Sequence, residues 1–397
     1  MIVVSHRGPE RFEATTSGGF TRHRGAGGVI SALRPLLAGA DAKWVAAAIS
    51  TDDRAAVAAG AATSEDFDLH LLALDEDDHR LHYDVVSNAV LWFLHHGLFE
   101  LPRRPAFDRH FAEAWDAYGR VNEAFAAEIA ANAAEGETVL VQDYHLALVP
   151  AALAQRRPDL QVAFFQHTPH CGPNSIGVLP DRVATDLLAS MARCAAGFHS
   201  PRWARAFEVC HEMVLGSAPA GGTFATPLGI DPDALTANAD GAEVAAEAKN
   251  LDEAIGDRKA IVRVDRIEPS KNIVRGFRAY DLMLEEHPEW RERVVFVALV
   301  YPSREGLAEY LAYRQEVEQA AQRVNDRWAT GDWQPVILDA HDTYPRSLAG
   351  LRRYDVLLVN PIRDGLNLVA GRPAVVDPLR GLLDFLPVRQ VLGEALP

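Results

Sequence analysis

Cysteine is scarce in this 397-residue chain, which contains only Cys171, Cys194 and Cys210. An odd and sparse set does not make a disulfide framework, and a reducing cytoplasm is the compartment that fits it best. The apolar run at the N-terminus is too short for a signal peptide, since Arg7 follows at once, and no stretch approaches the roughly 20 apolar residues of a membrane helix. The sequence therefore predicts a cytoplasmic protein with no membrane partner.

Cationic side chains are in the minority, with 39 Lys and Arg against 55 Asp and Glu and a formal net charge of −16. Sequence-independent nucleic-acid binding requires a basic surface, so no nucleic-acid partner is expected. A phosphorylated ligand remains compatible with this balance, because a basic pocket can lie inside an acidic shell. Apolar residues make up 48% of the chain, enough for a core, and the length fits two domains. The sequence leaves a homo-oligomer open.

A complete dinucleotide-binding fingerprint is also missing. Gly25, Gly27 and Gly28 precede a predicted helix, but Ile30 stands where the third glycine belongs. The glycines also lie about twenty residues after the first predicted strand instead of directly after it. This disfavours a nicotinamide-dependent dehydrogenase and favours a loop that contacts a phosphate or a sugar.

Short β-branched runs alternate with longer segments of helical periodicity, which predicts an α/β protein built from parallel sheets covered by helices. We expect two doubly wound domains, over residues 1–235 and 236–397. The boundary falls in the segment 231–257, which is rich in Ala, Asp and Glu and has no strand pattern. The predicted strands cover 2–4, 44–49, 138–141, 161–165, 260–264, 294–300, 335–338 and 356–359; the predicted helices cover 29–37, 107–129, 147–156, 272–285, 305–328 and 347–354.

Polar residues follow six of the predicted strands. In doubly wound sheets, ligands bind beyond the carboxyl ends of the strands, so these residues predict a ligand cleft. The six groups are Ser5, His6 and Arg7; Asp143, Tyr144 and His145; His167; Asp265, Arg266, Ser270 and Lys271; Ser303 and Arg304; and Arg363, Asp364 and Gly365.

Arg266 and Lys271 are the sharpest pair among these groups. A departing diphosphate gains negative charge, which two fixed cations would stabilise, although two solvated loop cations would give the same pattern. Asp364 and Asn367 are suited to opening a helix whose N-terminus binds phosphate, and they equally fit an ordinary helix cap.

Aromatic and acidic segments leave alternatives open as well. Tyr83 and Trp92 could stack on sugar rings or simply fill the core. The HTPHC segment at 167–171 contains potential metal ligands but has no second cluster of matching spacing, so no metal is expected. The D-x-D pattern at 75–78 has no clear strand before it, and we interpret it as a solvated turn.

Taken in order, five segments resemble the trehalose-6-phosphate synthase family of retaining glycosyltransferases. The resemblance covers residues 1 to about 370 and implies two facing Rossmann-like domains of the GT-B type, with no metal and no cofactor. It also implies a nucleotide diphosphate-glucose donor and a glucose 6-phosphate acceptor. The segments are SNAVLWF (87–93), QDYHLALVP (142–150), VDRIEPSKN (264–272), PSREGLAEY (302–310) and RDGLNLVA (363–370).

The resemblance also implies residue roles. Arg7, Tyr83, Trp92, Asp143 and Arg304 match acceptor-binding positions, with Arg7 and Arg304 on the acceptor phosphate. The catalytic set by this resemblance is Arg266, Lys271, Asp364 and His167, of which Arg266 and Lys271 hold the diphosphate and His167 contacts the donor sugar. The donor-binding set is Gly27, Gly28, Arg266, Lys271, Asp364, Gly365, Leu366, Asn367, Leu368 and Val369.

Several positions depart from the family pattern. His170 and Cys171 replace the usual Phe-Pro, Gln142 stands where His is usual, and Asn272 stands where Gly is usual. After Ala370 the family continues with Lys-Glu, whereas this chain has Gly371 and Arg372, and we interpret the C-terminal domain as truncated.

Three functions follow for testing. The first is a synthase that makes trehalose 6-phosphate. The second is a related synthase with another phosphorylated acceptor, such as glycerol phosphate or a cyclitol phosphate. The third is a catalytically impaired paralogue that binds sugar phosphate.

Overall fold

A computed structural model describes residues 1–25, 28–37, 39–99, 106–229, 231–304, 306–341 and 343–371. The chain divides into two compact units, one formed by residues 1–229 and one that begins at residue 230. Each unit contains a parallel sheet with intervening helices, so the predicted α/β class is confirmed. The predicted domain limits of 1–235 and 236–397 stay a prediction.

The first unit contains a seven-stranded parallel sheet of order β5-β4-β1-β6-β7-β8-β9 and an antiparallel β2-β3 hairpin. The residues of β1 before its last one are all buried, as expected for a central strand covered on both faces. The strands are β1 (Ile2–Arg7), β2 (Glu10–Ala14), β3 (Phe20–Arg24), β4 (Lys43–Ala47), β5 (Asp68–Leu72), β6 (Thr138–Gln142), β7 (Gln161–Gln166), β8 (Ala195–Phe198) and β9 (Thr223–Ala225).

Helices connect these strands. A π-helix (Leu81–Leu91) links α3 to α4, and a 3₁₀ turn (Tyr144–Leu146) follows β6. The α-helices are α1 (Gly28–Leu37), α2 (Thr51–Ala58), α3 (Glu76–Arg80), α4 (Trp92–His96), α5 (Arg109–Asn132), α6 (Val149–Arg156), α7 (Pro173–Ile176), α8 (Asp181–Met191) and α9 (Pro201–Leu215).

Helix α5 shows how the sequence determines these elements. Asp108 caps it by accepting a hydrogen bond from the Phe111 amide at 3.0 Å. Aromatic residues then recur at helical spacing, and Trp115, Tyr118 and Phe125 are all buried on one face. Burying each such side chain stabilises the unit by about 1.5–3 kcal/mol. The predicted amphipathic helix over 107–129 is confirmed, with both ends shifted by two or three residues.

The second unit contains a four-stranded parallel sheet of order β12-β11-β10-β13. One 3₁₀ turn, Pro269–Lys271, precedes helix α12, and another, Pro288–Trp290, follows it. The strands are β10 (Lys259–Arg266), β11 (Val294–Tyr301), β12 (Val336–Asp339) and β13 (Val356–Leu357). The helices are α10 (Pro232–Ala239), α11 (Ala242–Ile255), α12 (Ile273–Glu286), α13 (Ala308–Trp328), α14 (Tyr344–Arg353) and α15 (Leu368–Gly371).

Both sheets reverse their strand order beside their first strand. β1 pairs with β4 on one side and β6 on the other, and β10 pairs with β11 and β13. Such a switch point opens a crevice at the carboxyl ends of the two strands, which is where ligands bind in doubly wound sheets. The candidate ligand sites are therefore formed by the residues after β1 and β6 in one unit and after β10 and β13 in the other.

Candidate active site

Arg7 ends β1 at the switch point of the first unit and is exposed. Its Nη2 atom donates a hydrogen bond to the Tyr83 hydroxyl at 3.1 Å. Tyr83 lies in the π-helix, a rare form that is frequent at functional sites. A guanidinium carries five N–H donors, so Arg7 can hold an anion while keeping this bond.

Asp143 follows β6 and joins two strand ends. Its Oδ1 atom accepts hydrogen bonds from the backbone amides of Tyr144 at 3.0 Å, His167 at 3.1 Å and Thr168 at 3.4 Å. Its own backbone has φ 70° and ψ 165°, a region that glycine alone adopts readily. Holding another residue there costs about 1–3 kcal/mol, and such strain clusters at active sites.

His167 belongs to a chain of hydrogen bonds between neutral groups. Its Nε2 atom lies 2.7 Å from the Gln142 Oε1 and its Nδ1 atom lies 3.2 Å from the His199 Nε2. The Leu228 amide donates to the other nitrogen of His199 at 3.3 Å, so His199 donates through Nε2 and His167 donates to Gln142. Burial and the neighbouring His199 lower the pKa of His167 to about 3. His167 can therefore offer a fixed, uncharged ring.

A cluster that sequence analysis missed lies beneath Arg7, and we call it the histidine stack: His6, His79, His82, His145 and Tyr83. The ring of His6 is stacked 5.1 Å from that of His79 and 4.6 Å from that of Tyr83. The Nε2 atoms of His6 and His79 are 3.0 Å apart, so one donates to the other. Burial lowers the pKa of His6 and lowers that of His82 to about 4. The buried rings of the stack are uncharged at neutral pH.

Trp92 begins α4 and its indole is 2% exposed. It is stacked on the ring of His96 at 4.1 Å. Of the two alternatives left open by the sequence, the tryptophan fills the interior of the first unit. Its role in acceptor binding stays a prediction.

In the second unit, Lys271 lies between two carboxylates. Its Nζ atom is 2.5 Å from an oxygen of Asp364 and 3.8 Å from one of Asp265. Burial of the ammonium lowers its pKa, but the two carboxylates outweigh burial, and the pKa of Lys271 is raised. The cation predicted after β10 is thus fixed beside the predicted loop after β13.

Glu268 is a second residue that the sequence analysis missed. It is 1% exposed, and its Oε1 atom lies 3.1 Å from Nη1 of Arg266 and 3.1 Å from Nη1 of Arg304. The Ser303 hydroxyl donates to the same oxygen at 3.0 Å. Its charge raises the pKa of Arg266. The available signal was the position of this acid between Arg266 and Lys271 in the sequence, because a counter-charge offsets the repulsion between neighbouring cations.

In the segment after β13, Asn367 is the one of the two expected capping residues that opens α15. Its Oδ1 atom accepts from the Val369 amide at 3.0 Å and the Ala370 amide at 3.3 Å. Its amide nitrogen donates to Asp364 at 3.3 Å. Asp364 is thereby held from two sides, by Asn367 and by Lys271. The remaining donor-binding predictions on this segment are the buried Gly365 and the half-buried Leu366, Leu368 and Val369.

Other predicted positions are quickly placed. Gly28 is the first residue of α1, whereas Gly27 lies outside the described residues, as does the segment 372–397 on which the truncation was argued. In the D-x-D segment, Asp75 caps α3 by accepting from the Asp78 amide at 3.0 Å, and this helix start replaces the predicted turn.

Across the part of the chain that the structure describes, no group of three or more His, Cys, Asp or Glu side chains has the arrangement of a metal site. The same part contains no helix long and apolar enough to cross a membrane.

The second unit is chemically equipped for stabilising an anion. Arg266, Lys271 and Arg304 supply fixed positive charge, and Asp364 and Glu268 are each held in ion pairs with them. Carboxylates engaged in this way position cations and are poorly placed to act as nucleophiles. Fixed cations of this kind can stabilise negative charge on a bound ligand.

Comparison with known proteins gives a consistent result. The family model of glycosyltransferase family 20 matches residues 1–378. The chain is 32% identical to the trehalose-6-phosphate synthase of Mycolicibacterium smegmatis, covering 93% of this chain and 75% of the relative. It is 31% identical to the alpha,alpha-trehalose-phosphate synthase [UDP-forming] A of Dictyostelium discoideum, over 93% of this chain. It spans about half (51%) of that longer relative.

Solved structures match over the same extent. An alpha,alpha-trehalose-phosphate synthase (UDP-forming) from Burkholderia vietnamiensis has a TM-score of 0.77 and 27% identity, covering 94% of this chain and 81% of that one. The E. coli trehalose-6-phosphate structure bound with UDP-2-fluoro glucose has a TM-score of 0.79 and 25% identity, with the same coverage.

Proposed function

Because the chain belongs to glycosyltransferase family 20, we propose that it transfers glucose from a nucleotide diphosphate-glucose to glucose 6-phosphate, giving trehalose 6-phosphate with retention of configuration. The observation that carries this proposal is the group of cations in the second unit. Lys271 is fixed by Asp364, and Arg266 is fixed by Glu268. Both lie at the switch point where a donor diphosphate would bind.

The donor half of the proposal rests on charge. As the bond between the sugar and the diphosphate breaks, the leaving oxygens become more negative. Arg266 can grip two of them with its planar fork, and Lys271 acts as a point charge. Preorganised cations of this kind lower such a barrier by about 3–4 kcal/mol each where water is excluded. Asp364 and the following segment would receive the sugar, with His167 as a further contact.

The acceptor half rests on a second set of side chains. We assign acceptor binding to Arg7, Tyr83, Trp92 and Asp143 in the first unit and to Arg304 in the second. Arg7 and Arg304 would bind the acceptor phosphate, for which an arginine fork is well suited. The acceptor hydroxyl would attack on the face from which the diphosphate leaves, and a phosphate oxygen would take its proton.

UDP is the favoured nucleotide. The Dictyostelium and Burkholderia relatives are described as UDP-forming, and the E. coli structure holds UDP-2-fluoro glucose. We place the reaction in the cytoplasm, which agrees with three free cysteines, all of them buried.

The test is an acceptor-dependent release of nucleotide. The purified full chain is mixed with UDP-, GDP- or ADP-glucose, with and without glucose 6-phosphate, and the nucleotide diphosphate is measured. Release from UDP-glucose only when glucose 6-phosphate is present is the expected result. The control variant for loss of a cation is Arg278→Ala. Arg278 is an exposed residue of α12 that pairs loosely with Glu316 at 3.6 Å, so its removal should not change the rate.

Two outcomes would replace the proposal. Release that requires glycerol phosphate or a cyclitol phosphate would change the acceptor, a change that the substitutions at His170 and Cys171 make worth testing. Binding of glucose 6-phosphate without release from any donor would instead indicate a sugar-phosphate-binding paralogue.

A further inference from the structure

A fully buried arginine in the second unit lies behind the donor cations. Arg263 is in the middle of β10 and is 0% exposed. Side chains alternate between the two faces of a strand, so Arg263 lies on the face opposite Val262 and Val264 and packs against Gly276 of α12, where an apolar side chain would cost less to bury. The contacts of the guanidinium explain why an arginine is buried here.

The guanidinium of Arg263 links its own strand to two other segments of the chain. Nη1 donates to the side-chain oxygen of Asn360 at 2.7 Å, in the segment that leads to Asp364. Nη2 donates to the backbone carbonyl of Lys271 and lies 2.9 Å from a carboxylate oxygen of Asp265. One planar group thus contacts the residue that carries the donor ammonium and the segment that carries its carboxylate partner.

Two further features favour this arrangement. Asn272 has a left-handed backbone, with φ 61°, and its side chain donates to the Asn360 carbonyl at 3.1 Å, so the same asparagine is held twice. In α12, Gly276 leaves room for the guanidinium, since a Cβ atom there would lie 2.9 Å from Nη1 of Arg263. The chain therefore provides both the contacts and the space.

We propose that Arg263 is a positioning residue that fixes the Lys271 turn and the Asp364 segment relative to each other. It does not touch the substrates; it acts through the two groups that would. For its effect on turnover the inference rests on the proposed function. Its structural part, the coupling of two segments, can be tested in the protein without substrate.

Two variants remove the fork in different ways. Arg263→Lys keeps a positive charge beside Asp265 but has no planar group to bridge Asn360 and the Lys271 carbonyl. Arg263→Met combined with Asp265→Asn removes both charges, so that a buried carboxylate is not left behind. Arg353→Lys is the matched control, because Arg353 also contacts several partners, among them Asp252 at 2.7 Å, but at the opposite ends of the strands.

Gly276→Ala tests the same idea without altering Arg263. The added methyl group must displace the guanidinium, while alanine favours a helix over glycine. A lower turnover number in a variant whose thermal stability is not reduced would separate positioning from general destabilisation.

Hydrogen–deuterium exchange of the unliganded variants gives the first readout. We expect faster exchange confined to residues 267–273 and 358–368, with β11 unchanged. Kinetics give the second: we expect the turnover number to fall about 10- to 100-fold in the two Arg263 variants, since small misplacements have effects of that size, with the acceptor KM changed less than twofold.

The inference is overturned if exchange in both segments stays at the wild-type rate, or if it rises equally across β11 and β12. A wild-type turnover number in the Arg263→Met, Asp265→Asn protein would also overturn it. If the wild-type chain itself transfers no sugar, the proposed function fails, and the exchange experiment still decides whether Arg263 couples the two segments.

Discussion

The two units fill the carboxyl ends of their strands with opposite chemistry. The first buries neutral rings, in the histidine stack and the pair His167 and His199. The second buries ion pairs, such as Lys271 with Asp364 and Arg263 with Asp265. The 15 histidines follow the same division, since only His287 and His341 lie beyond residue 229, and both are exposed.

Under the proposed function, this difference shows how one chain could serve two phosphorylated ligands. Buried neutral rings give shape and directed hydrogen bonds at a modest desolvation cost, which suits recognition of a sugar. Buried ion pairs cost more to form and are tolerated where charge must be held in place, which suits stabilisation of a leaving diphosphate. If the comparison is right, the units should respond differently to loss of a cation, loss of a carboxylate and acidification.

The largest effect is expected from loss of a second-unit cation. Arg266→Ala should lower the turnover number by about 10²–10³-fold, because the departing diphosphate loses a preorganised charge. Stability should hardly change, since this side chain is 45% exposed and Glu268 keeps its contacts with Arg304 and Ser303. Turnover is measured as acceptor-dependent release of UDP, and wild-type rates in the variant would remove Arg266 from the donor site.

Loss of the shared carboxylate should be next in size. Glu268→Gln removes the negative charge common to Arg266 and Arg304, and breaking a buried pair of this kind costs about 3 kcal/mol or more. The free energy of unfolding of the second unit can be followed in urea by hydrogen exchange of β11. Glu316→Gln is the control, because Glu316 is exposed and its pair with Arg278 contributes little. Equal stability of the two variants would show that Glu268 acts as a surface group.

Acidification should act on the first unit. The pKa of His82 is about 4 when folded, against an ordinary value of 6.5, so the unfolded chain binds more protons between these values. Stability is therefore complete above pH 6.5 and is lost as the pH falls toward 4, by about 2 kcal/mol at pH 5 for this one ring. Burial lowers the pKa of His6 and His170 too, so both act in the same direction.

The three cysteines make this loss measurable. All of them are buried in the first unit, so their reaction with 4,4′-dithiodipyridine in urea reports its unfolding alone. We expect a lower urea midpoint at pH 5 than at pH 7, and a smaller difference in His82→Gln. His341→Gln, an exposed histidine of the second unit, should leave the difference unchanged. An unchanged midpoint at pH 5 would break the comparison between the units.

Local sequence patterns predicted those elements that carry a strong repeat. Strand β11 was predicted because a strand buried on both faces is apolar throughout. Helix α5 was predicted because a helix buried on one face has apolar residues at helical spacing. The β2-β3 hairpin was missed because its residues are largely polar and exposed, whereas β5 was missed although Leu69 and Leu71 alternate with polar residues over a very short run. Strand β13 proved shorter than expected, as Val356–Leu357 instead of 356–359, because the chain leaves the sheet for the Asp364 segment.

Part of the candidate site was predictable because it directly follows predicted strands. Lys271 and Asp364 could be located in this way once the strands were predicted. The contact of Glu268 with Arg304 and the histidine stack join distant segments, such as His6 and His79, which are 73 positions apart in the sequence, and no local pattern encodes such contacts. The concentration of histidine in the first 229 residues was the one available signal for the stack.

The smallest predicted effect concerns a residue of the first unit, Tyr83. Tyr83→Phe removes the hydroxyl that accepts from Arg7 at 3.1 Å but keeps the ring stacked on His6 at 4.6 Å. Losing one such hydrogen bond costs about 1 kcal/mol, so the acceptor KM should rise roughly fivefold while the turnover number stays within a factor of two. Tyr344→Phe, on the surface of the second unit, is the control. Because the histidine stack is retained, the pH dependence of first-unit stability should equal that of the wild type. An unchanged acceptor KM would mean that Tyr83 serves only to pack in the histidine stack and that its contact with Arg7 has no part in acceptor binding.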